Sequence, residues 1–310
     1  MISAIKTLIL GLVSCAFLFT ACGKQQEAAS FPDAPDAAVH AVIQGIAEGK
    51  GAVLWEAMPA SYQADVNALA QLMGQKLDAE IYDQSFALFG RVGGVVQQQQ
   101  DFIFTSEKLG NVQKLDSMKQ AIPALMGFIE LLAESSVGSV EGLKSFDGQS
   151  FFEATVSGLM QHAMVLSELA EGEDLSFGEL SDAQIKVVSQ DAAFAVLELS
   201  LPGQELEIVE LVQVEGRWVP VDLRNDWEKA VAELKASAEG LTPESIALQK
   251  PQLMGLLTML DGVVAQLEAA ETQQQFDQAL QGAMMPMFGL LMMGQQQMQN
   301  AKGASAPTAP

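Results

Sequence analysis

The stretch IKVVSQDAAFAVLELSLPGQELEIVELVQVEGRWVPVDL, residues 185–223, decides the fold class. Four runs along it read as β-strands: Ile185 to Val188, Ala192 to Ser200, Glu205 to Val214 and Arg217 to Leu223. Pro202-Gly203 and Glu215-Gly216 fall between runs, where the chain must turn. Three adjacent hairpin-linked strands predict an antiparallel meander. Trp218 is expected to pack on one sheet face, with Arg217, Val219 and Val221 directed to the other.

Outward from this stretch the pattern is helical. Asp36 reads as the N-cap of a helix over Ala37 to Glu48, ended by Gly49 and Gly51. A short helix over Val53 to Met58 stops at Pro59, and Ser61 is expected to cap a longer one reaching Tyr82. In that helix Val66, Leu69, Ala70, Met73 and Leu77 share a core-facing side, opposite Asn67, Gln71, Gln75 and Asp78. Further helices are predicted over Ser85 to Gln100, Asp116 to Ala133 and Gln149 to Ala170, the first weakened by three glycines. Its polar end, Gln97 to Gln100, reads as a solvated face. Beyond the strands, Asn225 is a cap with Glu228 at the third helical position, followed by a stripe of Trp227, Val231, Leu234 and Ala238. Thr242-Pro243 starts another helix, Pro251 is expected to interrupt it, and Gln252 to Ala270 follows. A last apolar helix is expected over Phe276 to Met298, kinked at Pro286. The expected fold is therefore α+β and predominantly helical, with one small antiparallel sheet at about residues 185–223.

The N-terminus has a different logic. Lys6 precedes an uncharged run from Thr7 to Thr20, and Ala21 precedes Cys22. This is the layout of a secretory signal, too short for a comfortable membrane span of about 20 apolar residues. The segment Phe19-Thr20-Ala21-Cys22-Gly23 resembles the lipobox of bacterial lipoprotein signal peptides, with Phe19 where Leu is usual. The resemblance implies cleavage before Cys22 and acylation of its thiol. Leu12-Val13-Ser14-Cys15 fits the letters better but leaves a hydrophobic core of only about eight residues, so Cys22 is preferred; an uncleaved anchor is the remaining reading. The expected organisation is a signal peptide at 1–21, a lipidated cysteine and flexible tether at 22–36, a mostly helical α+β domain at 37–300 and a disordered tail at 301–310.

The formal charge is −23; removing residues 1–21 deletes Lys6 from 16 basic residues, leaving 15 against 39 acidic, or −24. Such a surface repels phosphate backbones and anionic head groups, so nucleic acid is not an expected partner and lipid on Cys22 must hold the membrane. Cleavage also removes Cys15, which leaves one cysteine and no disulfide.

Motifs of common enzymes are missing. Gly148-Gln149-Ser150-Phe151-Phe152 lacks the closing glycine of a nucleophile elbow, and the one Ser three residues before a Lys, Ser3 before Lys6, lies at the very start of the N-terminal stretch read as a signal. Gly45-Ile46-Ala47-Glu48-Gly49-Lys50-Gly51 is one residue short of a phosphate loop and lacks its Ser or Thr. His40 and His162 are the only histidines; His40 reads as exposed and His162 as a half-buried helix residue. Glu171, Glu173, Asp174, Glu179 and Asp182 could gather calcium, but their spacing fits a solvated loop better. Met284, Met285, Met287, Met292, Met293 and Met298 crowd the last helix. Thioethers favour Cu(I), yet these lie around the helix rather than on one side, which suits packing or contact with a partner protein or a membrane.

Two segments carry a resemblance to a known fold. Asp36-Ala37-Ala38-Val39 through Trp55-Glu56-Ala57-Met58-Pro59 is similar to the opening helices of NTF2-like and cystatin-like exported domains, and Val212-Gln213-Val214-Glu215-Gly216-Arg217-Trp218-Val219-Pro220-Val221 to their closing hairpin. The resemblance implies an antiparallel sheet wrapped around a helix, often with an apolar pocket. No catalytic, cofactor or metal residue is assigned. The expected function is a non-catalytic, exported lipoprotein of the cell envelope, facing the periplasm or exterior and acting as a binding or structural module. The alternatives are a carboxylate-only envelope enzyme, or a metal-handling protein using the C-terminal methionines.

Overall fold

A computed structural model describes residues 31–109, 115–169, 177–201 and 204–282. The four expected strands are β1 (Gln184–Gln190), β2 (Phe194–Ser200), β3 (Glu207–Val214) and β4 (Arg217–Pro220). They pair antiparallel in chain order, the predicted meander. Ala195, Leu197 and Leu199 of β2 and Val209 and Leu211 of β3 are buried on one face. The other face is wet, with Lys186 paired to Glu198 across β1 and β2 at 2.9 Å. The β3–β4 turn places Glu215 at φ 51° and Gly216 at φ 77°. Two left-handed residues make the tight hairpin turn whose twist matches that of the strands, and glycine takes one of them without a Cβ penalty.

The last strand is shorter than expected. Val221, Asp222 and Leu223 belong to a helix running Val221–Glu239, so Asn225 lies inside that helix and not at its cap. Pro220 is the junction: it supplies no N–H to extend the ladder, and at φ −54°, ψ 134° it hands the chain directly to the helix. Val219 and Trp218 are both buried, on opposite faces of β4.

The helices are α1 (Pro35–Ala47), α2 (Ala52–Glu56), α3 (Ala60–Lys76), α4 (Ala79–Gln98), α5 (Gln100–Thr105), α6 (Leu115–Glu134), α7 (Val140–Lys144), α8 (Gly148–Ser150), α9 (Ser157–Leu169), α10 (Val221–Glu239) and α11 (Pro243–Glu268). A π-helical turn, Phe151–Val156, joins α8 to α9, and residues 273–282 are also helical. Asp36 is not a cap: Pro35 occupies the first position of α1, where a missing N–H costs nothing, and Asp36 sits in the first turn. The helix expected to reach Tyr82 ends at Lys76, because Leu77 is extended and Asp78 caps a new helix by accepting from the Ile81 N–H at 3.1 Å. Ser61 does not cap α3 either. Its backbone N–H donates to the Glu215 carboxylate at 2.8 Å, so the hairpin turn itself caps the helix. Pro251 does not interrupt α11; it lies exposed inside a continuous helix opened by the Thr242–Ser245 capping box. Gln99, read as solvated, donates to the carbonyls of Leu267, Glu268 and Ala270. Asn67, placed on the outer side of its helix, accepts from the Gly148 N–H at 2.7 Å. Phe31 and Pro35, assigned to the tether, are buried.

Two cores meet at α1. One lies between α1 and the sheet and includes Ala38, Ile43, Leu197, Leu211 and Trp218. The other lies among α2, α3, the π turn and α10 and includes Trp55, Leu69, Phe146, Phe152 and Trp227. Each fully buried Leu or Phe contributes about 1.5–3 kcal/mol relative to leaving it in water. The close approach of Gly51 to the π turn and the start of α9 fixes α2. The Gly51 N–H donates to Ser157 Oγ at 2.8 Å, and a Cβ on Gly51 would stand 2.6 Å from the Phe152 carbonyl oxygen. Gly90 and Gly94 of α4 face open space instead. Gly51→Ala is therefore expected to destabilise the fold by about 1–3 kcal/mol. Gly90→Ala and Gly94→Ala should each stabilise it by about 0.4–1 kcal/mol. Urea denaturation of the three variants distinguishes the two environments.

Ion pairs bind α4 to α11. Lys250 donates to both Asp78 carboxylate oxygens at 3.0 and 2.9 Å, and Arg91 grips Glu268 with two hydrogen bonds, at 3.0 and 2.6 Å, while also reaching Asp261. The Lys250 ammonium beside Asp78 and the Arg91 guanidinium beside Glu268 hold both carboxyls below their ordinary range. A carboxyl lowered in the folded state favours folding above its unfolded value and loses that contribution as pH falls through its folded value. The stability difference between wild type and a Lys250→Met/Arg91→Met variant should therefore be largest near neutrality and shrink below about pH 4. Urea midpoints across that range measure it.

Candidate functional site

α1 crosses the buried face of the sheet, while α10 leaves β4 at Pro220 and runs back beside α3. Neither surface closes fully on the other. Between them lies a cavity of about 350 Å³, within the usual range of small-molecule pockets. Its floor is Val39, Val42, Ile43 and Ile46 of α1, and its sheet wall is Leu199, Val209, Leu211 and Trp218. Tyr62, Phe152 and Trp227 close it from the helical core, and Phe31 closes it from the N-terminal side.

Each aromatic wall is held in place by a second contact. Trp218 donates its indole N–H to the Asp33 carbonyl at 2.7 Å, and the Arg217 guanidinium lies 5.3 Å from the centre of the Phe31 ring. Tyr62 stacks on Trp227 with ring centres 4.0 Å apart and planes at 6°. Trp227 donates to Asp65 Oδ2 at 3.1 Å, and Lys235 donates to the other oxygen at 3.2 Å. Burial pushes the Tyr62 hydroxyl above its ordinary value, so this wall is uncharged at neutral pH. The ionisable lining residues are Tyr62, Asp222 and Asp226. Both aspartates are exposed and stand one helical turn apart at the start of α10. The site is thus an apolar chamber with two carboxylates at its rim: it can desolvate carbon.

The residues singled out in the sequence fall elsewhere. Cys15, Cys22, Glu171, Glu173, Asp174 and Met284, Met285, Met287, Met292, Met293 and Met298 lie outside the described residues. Glu179 and Asp182 sit on a 3₁₀ turn, Phe177–Asp182; among the described residues no group of three His, Cys, Asp or Glu is arranged to hold a metal. His40 is exposed, and His162 is half-buried with its imidazole over Gly127. Gly45 is inside α1, and Gly49 takes φ 68° at the turn that follows, as a helix end and not a phosphate cradle. Asp222 and Asp226 were missed because the sequence reading put the first in a strand and the second at a helix start; their spacing of four became meaningful once Pro220 was seen to open the helix. Comparison with family models, curated proteins and solved structures found no match for this chain.

Proposed function

We propose that this chain is an exported, non-catalytic binding protein of the cell envelope, anchored to a membrane through lipid on Cys22. It takes a small apolar ligand with a neutral or cationic head into the cavity between α1, the sheet and α10. The observation that carries this reading is the cavity itself: about 350 Å³ of carbon-lined space with two carboxylates at its rim. An anionic head would meet Asp222, Asp226 and a formal charge of −23, whereas a cationic head would gain from all of them. The pocket-enclosing habit of the NTF2-like and cystatin-like domains, which two segments of the sequence resemble, supports the same reading. The membrane part rests on Lys6, the uncharged run from Thr7 to Thr20 and the Cys22 lipobox. Among the described residues no helix is long and apolar enough to cross a membrane. Among the described residues, the Asp78, Glu215 and Glu268 carboxyls are lowered by hydrogen bonds or ion pairs.

Two of the three tryptophans, Trp218 and Trp227, line the cavity and report on it by fluorescence. Titration with 1-decanol, decyltrimethylammonium and decanoate should show binding of the first two, with decanoate weaker by about tenfold or more. Ala57→Phe, which fills the chamber from α2's end, should abolish the response while leaving the urea midpoint near wild type. Equal response from Ala57→Phe, or no response from wild type, removes the cavity as a ligand site. Separately, mass spectrometry of the protein from its native membrane should find residue 22 as the N-terminus with a diacylglycerol thioether; a free thiol there removes the anchor.

A further inference from the structure

α9, α6, α4 and α11 pack side by side in that order, as a single layer of helices. α4 touches α6 through Gly93, which lies against Met126 and Ile129, and touches α11 through Arg91 and Val95. At 100° per residue, that leaves Phe89 and Val92 on one free side of α4 and Gly90 and Gly94 on the other. α6 touches α4 through Met126 and Ile129 and α9 through Gly127 and Leu131. Its free sides therefore hold Met118 and Leu125 in one direction and Lys119, Pro123 and Glu130 in the other. α6 runs antiparallel to α4, since Tyr82 reaches Val137 while Gly93 meets Met126. With that direction, the two apolar sides fall on the same face of the layer. α11 runs parallel to α4, with Lys250 at Asp78 and Glu268 at Arg91, and it continues the face through half-buried Leu256 and Val263.

That face is apolar and wet. Phe89 is 41% exposed, Val92 44%, Met118 45% and Leu125 38%. The described chain reaches residue 282 beside it: Phe276 and Leu280 pack with Leu88, Val95 and Val264, on α4 and α11. The next 16 residues, 283–298, contain no charged residue and include Phe288, Leu290, Leu291 and six methionines. As a helix they would measure about 24 Å, the width of about three helices packed 8–10 Å apart.

We propose that residues 283–298 pack in cis across the apolar face of this helical layer, as its missing second layer. The segment matches the face in polarity and length and begins at its edge. Being covalently joined, it competes with any second molecule at an effective concentration in the millimolar range. Methionine suits the role, because an unbranched thioether adapts to an irregular helical surface.

Methionine oxidation tests this in the full chain produced without lipid, at low micromolar concentration in detergent-free buffer. Hydrogen peroxide followed by peptide mass spectrometry should show Met284, Met285, Met287, Met292 and Met293 oxidised about tenfold or more slowly than in urea. Val92→Asp/Leu125→Asp should remove that protection, while Gly90→Glu/Gly94→Glu, on the opposite side, should keep it. Should the first variant fail to fold, Phe288→Asp/Leu291→Asp removes the occupant and leaves the layer intact; it should raise the oxidation of Met118 together with that of the C-terminal methionines. Oxidation of the segment at the urea rate in wild type overturns the proposal. So does protection that disappears on dilution with a monomer–dimer shift in sedimentation, which assigns the face to a second copy. Protection found only when phosphatidylethanolamine–phosphatidylglycerol vesicles are added assigns it to a bilayer, and likewise overturns the proposal.

Discussion

The sheet and the helical core are joined by the burial of α1 between them. Ala38 and Ile43 serve the sheet core, Ile46 serves the helical core, and Val42, with Val53 of α2, packs against both. A helix can satisfy two cores only if its apolar residues cover well over half its circumference, and α1, PDAAVHAVIQGIA, has that composition. The geometry that follows is imperfect by necessity. A sheet face and a helical cluster set the orientation of α1 independently, and the side chains between them do not meet everywhere. The cavity is the residue of that mismatch, and α10, fixed in direction by Pro220, supplies its rim.

The parts of the structure legible in the sequence are those set by neighbours in the chain. The apolar run Phe194 to Leu197, continued by Leu199 across Glu198, announces a strand whatever lies around it, and Glu215-Gly216 announces its turn. The stripe of Val66, Leu69 and Ala70 is legible for the same reason. Boundaries decided by side-chain competition were harder. Leu77 and Asp78 continue the helical pattern of α3, and only the capping bond to Ile81, reinforced by Lys250 from 172 residues away, makes Asp78 a stop. The end of β4 was missed because Val221 and Leu223 continue the strand's alternation, while Pro220 overrides it.

The candidate site was not legible, and the reason is separation. Phe31, Tyr62, Trp218 and Trp227 come from three distant parts of the chain, and no local period relates them. The sequence identified Trp218 and Trp227 as packing residues, which they are, but a residue that packs on one side and lines a cavity on the other has the same signature. Hydrogen bonds show the same limit: the cap on α3 comes from Glu215, 154 residues downstream of Ser61, so the hairpin and the helix vouch for each other's position.

Phe31 has one further implication. It closes the chamber from the N-terminal side and is pinned there beneath Arg217, nine residues after Cys22. Nine residues reach at most about 30 Å, comparable to the thickness of a bilayer's hydrocarbon interior. With a lipid at Cys22 the chamber would be leashed close to the head groups, and the leash would enter beside the chamber rather than on the far side of the molecule. A greasy molecule passing between membrane and protein would then cross only a thin film of water, so the short distance would favour exchange even for a compound too insoluble to travel freely.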